Sequence, residues 1–316
     1  MPRACGNFAG RASPARAEAS APFISLATFF FKESGPRISA EPLISMLAQR
    51  VVTALILLPL LLAAVWYAPT PWLYGLFSTV GLWMAWEWTS LMGLADRGKR
   101  LAYVALTGVL LAVSWAVREY WLWFAAVAAV WWAAAIWLLR GFPDNFSQRK
   151  PSALQMGVLG EVLMLPTLLT LAVLHEMPDG ALRLLYLLFL VFAADTGAYL
   201  AGRNLGRVKL APNVSPGKTV EGAIGGLFLC GLWALSAGTY TFGANSGAAV
   251  AKVVILSLVV AAISIVGDLT ESMFKRLSGT KDSGTLLPGH GGLLDRVDSL
   301  LAAAPLMALG VHYLRQ

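Results

Sequence analysis

Charge is scarce in this chain: Asp, Glu, Lys and Arg make up 13% of its 316 residues, while 58% are apolar. Soluble domains carry about 25% charged residues, so the shortage excludes a soluble globular protein and leaves a membrane protein. Cysteine is scarcer still. Cys5 and Cys230 lie far apart and form neither a metal-ligand spacing nor a disulfide framework. Long polar modules are missing as well, because apolar segments recur from residue 51 to the end, and the length therefore holds one polytopic domain. The net charge of +7 is no nucleic-acid footprint, since the basic residues sit in short loops and form no single stripe.

A helix needs about 20 apolar residues to cross the hydrocarbon layer, and about nine runs approach that length. They fall near 51–68, 71–94, 101–117, 120–139, 153–174, 183–202, 220–242, 249–267 and 299–314. The expected fold is all-α, with two long polar segments, 203–219 and 268–298, between the spans. If the first span starts inside, fifteen Lys and Arg of residues 50–316 lie on the cytoplasmic side and four on the other. The positive-inside rule then places both polar segments in the cytoplasm. Residues 1–45, rich in Ala, Ser, Gly and Pro, carry only the short apolar run FISLATFFF and read as a disordered extension, with the membrane domain at 46–316.

The charge that exists is concentrated near the C-terminus, in SMFKRLSGTKDSGTLLPGHGGLLDRVDS, residues 272–299. No breaker follows Gly267, so the eighth span is expected to continue as a helix. It then carries Asp268, Ser272, Lys275 and Arg276 along one face. A glycine-rich loop follows, whose backbone donors can approach an anion, and helical character resumes with Asp295 and Asp298 three residues apart. Carboxylates flanked by cations and His290 suit magnesium holding a polyphosphate, because Mg²⁺ takes carboxylate and phosphate oxygens while Lys and Arg neutralise the remainder. In the other segment, Ser215, Lys218 and Thr219 precede a helix expected to start near Val220, whose first N–H groups would face a bound anion. The segment lacks the glycine spacing of a Walker A loop.

These residues resemble the phosphatidate cytidylyltransferases, the CDP-diacylglycerol synthases. Ser272, Lys275, Arg276, Lys281, Asp282, Pro288, His290, Gly291, Gly292, Asp295, Arg296 and Asp298 all stand at the family spacing. A second family block, Ser-Pro-Lys-Lys-Thr-Trp-Glu-Gly, is matched at Ser215, Pro216, Lys218, Thr219, Glu221 and Gly222, and departs at Gly217 and Val220. ADTGAYLAGRNLGR and the pair Glu87 and Trp88 are also similar. The resemblance implies attack by a phosphatidate oxygen on the α-phosphorus of CTP. It assigns Asp268 and Asp295 to magnesium and leaves room for a second cation, with Asp298 as a further ligand or orienting group. Lys275, Arg276, His290 and Asp298 form the catalytic set. Ser215, Lys218, Ser272, Lys281, Asp282, Arg296 and the intramembrane Asp195 are expected to bind the two substrates. The protein would work in the inner membrane, and the resemblance allows a homodimer without marking an interface. A CTP-dependent lipid kinase would share these loops and the metal, and a transporter would share the intramembrane acids and the many spans.

Overall fold

In a computed structural model, the described residues are 55–314, except 57, 149, 281–282 and 285–290. Helices run in succession: α1, Leu58–Tyr67; α2, Thr70–Leu91; α3, Arg97–Ala116; α4, Trp121–Arg140; and α5, Ala153–Glu176. They continue as α6, Gly180–Leu205; α7, Val220–Thr241; α8, Gly247–Ser278; and α9, Leu294–Leu314. Seven segments are long and apolar enough to cross a membrane: α3 to α9, with a 3₁₀ turn leading into α4. The chain is thus an all-α polytopic membrane protein. The first two expected spans correspond to α1, whose described part is short, and α2, whose apolar sequence is interrupted by Glu87 and several small polar residues.

Local chemistry sets the helix ends. Asp96 accepts a hydrogen bond from the Lys99 N–H at 2.8 Å at the start of α3, and Ser152 and Gln155 form a reciprocal capping box on α5. The Ser246 hydroxyl caps α8, and Gly279, with φ of 75°, ends it in the left-handed conformation that glycine adopts without strain. At 32 residues, α8 is about 48 Å long, whereas the hydrocarbon layer is about 30 Å thick. Its last turns therefore stand outside the apolar layer and carry the charged face anticipated there.

The segment 203–219 differs from the polar loop expected of it. Helix α6 runs on to Leu205, and an antiparallel ribbon follows, β1 (Lys209–Ala211) paired with β2 (Ser215–Thr219). Both strands are edges, so Pro216 costs no ladder hydrogen bond on its solvent side. Behind the ribbon, α6 and α7 meet backbone to backbone. A Cβ on Gly226 would lie 2.7 Å from the Ala194 carbonyl oxygen, so only glycine permits this approach.

One of the two buried apolar clusters supports the charged end of the bundle. Trp88 is wholly buried, donates its indole N–H to the Met156 carbonyl at 2.7 Å and meets Phe274 edge-on. It thereby ties α2 to α5 and α8. The buried Met273, Leu294 and Leu301 complete this floor.

Candidate active site

The face of α8 beyond the apolar layer is organised by helical spacing. Asp268, Ser272, Lys275 and Arg276 follow one another as expected, with Glu271 beside them. Lys218, on β2, forms an ion pair with Asp268 across 50 residues of chain, and the Ser272 hydroxyl stands 3.5 Å from Asp268 Oδ1. Asp195 of α6 and Asp298 of α9 interact electrostatically with this pair and with each other. The close crossing of α8 and α9 brings Asp298 in. A Cβ on Gly267 would sit 2.7 Å from the Asp298 carbonyl oxygen, so a larger residue would push the helices apart.

A second group adjoins the first. Lys275 Nζ lies 2.5 Å from Glu271 Oε2 and 2.6 Å from Asp295 Oδ1. The other Asp295 oxygen, Oδ2, accepts the Ser283 N–H at 3.1 Å, the Ser283 hydroxyl at 3.0 Å and the Gly292 N–H at 3.0 Å. Glu271 interacts electrostatically with both Asp295 and Asp298, which joins the two groups. Asp268 and Asp295, paired by the sequence reading, thus take their closest partners in adjacent clusters: Lys218 for one, Lys275 and the loop backbone for the other.

The ribbon is fastened to the same end. Arg276 Nε donates to the Val214 carbonyl at 3.1 Å, and Glu221 accepts the backbone N–H groups of Arg207 and Val208 at 3.0 and 3.2 Å. The Thr219 hydroxyl accepts the Gly222 N–H at 3.1 Å, which caps α7. Within the block Ser215 to Gly222, then, Thr219 and Glu221 shape the backbone that presents Lys218. Ser215 is half-buried on β2, and Arg296 is exposed on the first turn of α9. The expected site residues Lys281, Asp282 and His290 lie outside the described residues.

The donor set is one of hard oxygens. Among the described residues no group of three or more His, Cys, Asp or Glu side chains closes a metal cage. Carboxylate oxygens are the donors that hard cations such as magnesium take, together with substrate phosphate and water.

The sequence model of the cytidylyltransferase family matches residues 48–314. The chain belongs to the cytidylyltransferase family. It is similar to the phosphatidate cytidylyltransferase of Pseudomonas aeruginosa, 40% identical over 267 residues that cover 83% of this chain and 96% of the relative. The phosphatidate cytidylyltransferase of Haemophilus influenzae is 38% identical over 283 residues, 82% of this chain and 96% of the relative. That of Staphylococcus aureus is 47% identical over 131 residues, 41% of this chain and 48% of the relative.

For this cytidylyltransferase chain, sequence reasoning missed Glu271 and Ser283 and left Glu87 without a role. Glu271 had a signal, since it precedes Lys275 by four residues, the spacing of a helical ion pair. Ser283 had none. Glu87 of α2 accepts the Leu293 N–H at 3.0 Å, the Leu294 N–H at 2.8 Å and the Ser283 hydroxyl at 3.2 Å. His175 and His312 are remote from this end. The first bridges Thr70 and the Val65 carbonyl, and the second packs edge-on against Trp121.

Proposed function

We propose that the chain transfers the cytidylyl group of CTP to phosphatidic acid, giving CDP-diacylglycerol and pyrophosphate. One observation carries the reading: two polar segments matching the family's two signature blocks meet at one end of the bundle, through Lys218 and Asp268. A phosphatidate oxygen forms a bond to the α-phosphorus, the bond from that phosphorus to the bridging oxygen breaks, and pyrophosphate leaves with the electron pair. A phosphate dianion is already a competent nucleophile, so the protein's task is positioning and charge neutralisation.

Lys218, Lys275, Arg276 and Arg296 supply positive charge at this end. Lys281 and His290 join them by the family spacing as contacts to substrate phosphate, and Ser215, Ser272 and Asp282 are assigned by the same resemblance to substrate binding. Asp268 and Asp295, with Asp298, are the residues that would hold magnesium, and the same acids would hold a second cation were the site binuclear. When bound, the ion neutralises phosphate charge. Asp195, a carboxylate within a span, interacts electrostatically with Asp268 and Lys218 and is assigned with them to the substrates.

The site faces the cytoplasm from the inner membrane, since a charged nucleotide cannot cross a bilayer unaided and the basic loops lie on that side. A homodimer fits the family and has no assigned interface. CTP labelled on its α-phosphate tests the reaction. Label in the lipid product supports cytidylyl transfer, whereas label confined to released CDP means a lipid kinase.

A further inference from the structure

We propose that Glu87 is a positioning residue that clamps the glycine-rich loop and the first turn of α9 in the arrangement the transfer reaction requires. The inference rests on the function proposed above. Glu87 is only 3% exposed and comes from α2, about 200 residues before its partners. A buried carboxylate is costly unless it is fully hydrogen-bonded, and here three donors converge on it. Two are backbone N–H groups at the start of α9, which an isolated helix would leave without partners. A negative charge is also favourable at a helix N-terminus. Glu87 therefore caps α9 from another helix.

The third donor extends the clamp to the loop's other arm. Ser283 Oγ lies 3.2 Å from Glu87 Oε2 and 3.0 Å from Asp295 Oδ2, so one hydroxyl is shared by two carboxylates. Around it the arms close too tightly for side chains. A Cβ on Gly284 would fall 2.4 Å from Glu87 Oε1, and one on Gly292 would fall 2.7 Å from the Gly284 nitrogen. Asp295 holds the two arms from within α9, and Glu87 holds them from α2. Trp88, the next residue, is locked by Met156 and Phe274, so the clamp stands on packed helix. Glu87 bonds Ser283, Leu293 and Leu294 and so acts through the backbone that carries Asp295.

The test compares Glu87→Gln and Glu87→Ala with wild-type full-length protein in nanodiscs. It uses α-labelled CTP turnover per monodisperse molecule and hydrogen exchange of peptides covering residues 283–296. Glutamine keeps the volume but turns an NH₂ group toward an N–H or O–H donor. Both variants should exchange faster in this region alone. The kcat of the alanine variant should fall about a hundredfold, the loss that a shift of about 1 Å in a positioned group brings, with glutamine intermediate. A merely structural role would lower the yield of folded protein and leave kcat per folded molecule unchanged, which would overturn the proposal. Unchanged exchange at Gly292 to Leu294 would do the same. Should the alanine variant fail to fold, glutamine decides, and wild-type turnover with wild-type exchange refutes the clamp. If wild-type protein transfers no labelled cytidylyl group, the function fails, while the exchange comparison still judges the clamp.

Discussion

Replacing Gly292 with alanine adds one methyl group where the described arms of the loop come closest to a glycine. An ideal Cβ there would stand 2.1 Å from Ser283 Oγ, 2.7 Å from the Gly284 nitrogen and 2.8 Å from Glu87 Oε2, where ordinary contact begins at 3.4 Å. The serine hydroxyl can rotate away. The Gly284 nitrogen is backbone and cannot, so the arms must part by about 0.7 Å to restore ordinary contact. A displacement approaching 1 Å costs up to about a hundredfold in rate, or ~2.7 kcal/mol of barrier. We therefore expect Gly292→Ala to insert normally and elute as a monodisperse species, with kcat for CDP-lipid formation reduced about 10- to 100-fold. Adding Ser283→Ala removes the shortest contact but leaves the Gly284 nitrogen and Glu87, so it should not restore the rate. Wild-type kcat in the single variant would refute the reasoning. Full recovery in the double variant would show that the hydroxyl alone was the obstacle.

Asp268→Asn and Asp295→Asn should each abolish turnover in protein that still inserts and folds, and wild-type activity at ordinary magnesium would refute that variant's assignment. Lys218→Ala removes the ammonium paired with Asp268 and should reduce kcat/KM for CTP by at least about tenfold, the order of a lost charge-assisted contact; an unchanged value would mean that Lys218 only holds the ribbon. For topology, Gly217→Cys and Asn245→Cys, each in a background lacking Cys5 and Cys230, both occupy exposed positions. An impermeant thiol reagent should label the first only in inverted vesicles and the second in intact cells, and the opposite pattern would overturn the orientation.

Periodicity carried the reading furthest where one helix was concerned. Asp268, Ser272, Lys275 and Arg276 were legible as one face because spacing within a helix converts directly into direction, and α8 indeed runs unbroken through them. The ribbon at 209–219 was not legible. Its strands are three and five residues long, contain Pro216 and Gly217, and show no apolar alternation. Contacts between distant segments were hidden for a different reason. Nothing in the neighbourhood of Glu87 indicates that Leu294, 207 residues later, lies against it, and a buried acid reads the same whether it serves a cavity or a helix end. The partition of the carboxylates was equally invisible, because Asp295 and Asp298 are three residues apart on one helix yet engage different partners across the α8–α9 crossing.

The length of α8 links the site to the lipid around it. From Gly247 to Asp268 the helix climbs about 32 Å, close to one hydrocarbon thickness, so a residue count separates Asp268 from the far end of α8 by about one membrane crossing. A thicker bilayer can be matched by standing α8 more upright, by thinning the lipid around it or by drawing Asp268 and Lys218 toward the acyl chains, and a thinner one by tilting it further. Bilayer thickness is thereby a variable of the site: the same chain reconstituted in short-chain and long-chain lipids should hold Asp268 and Lys218 at different depths.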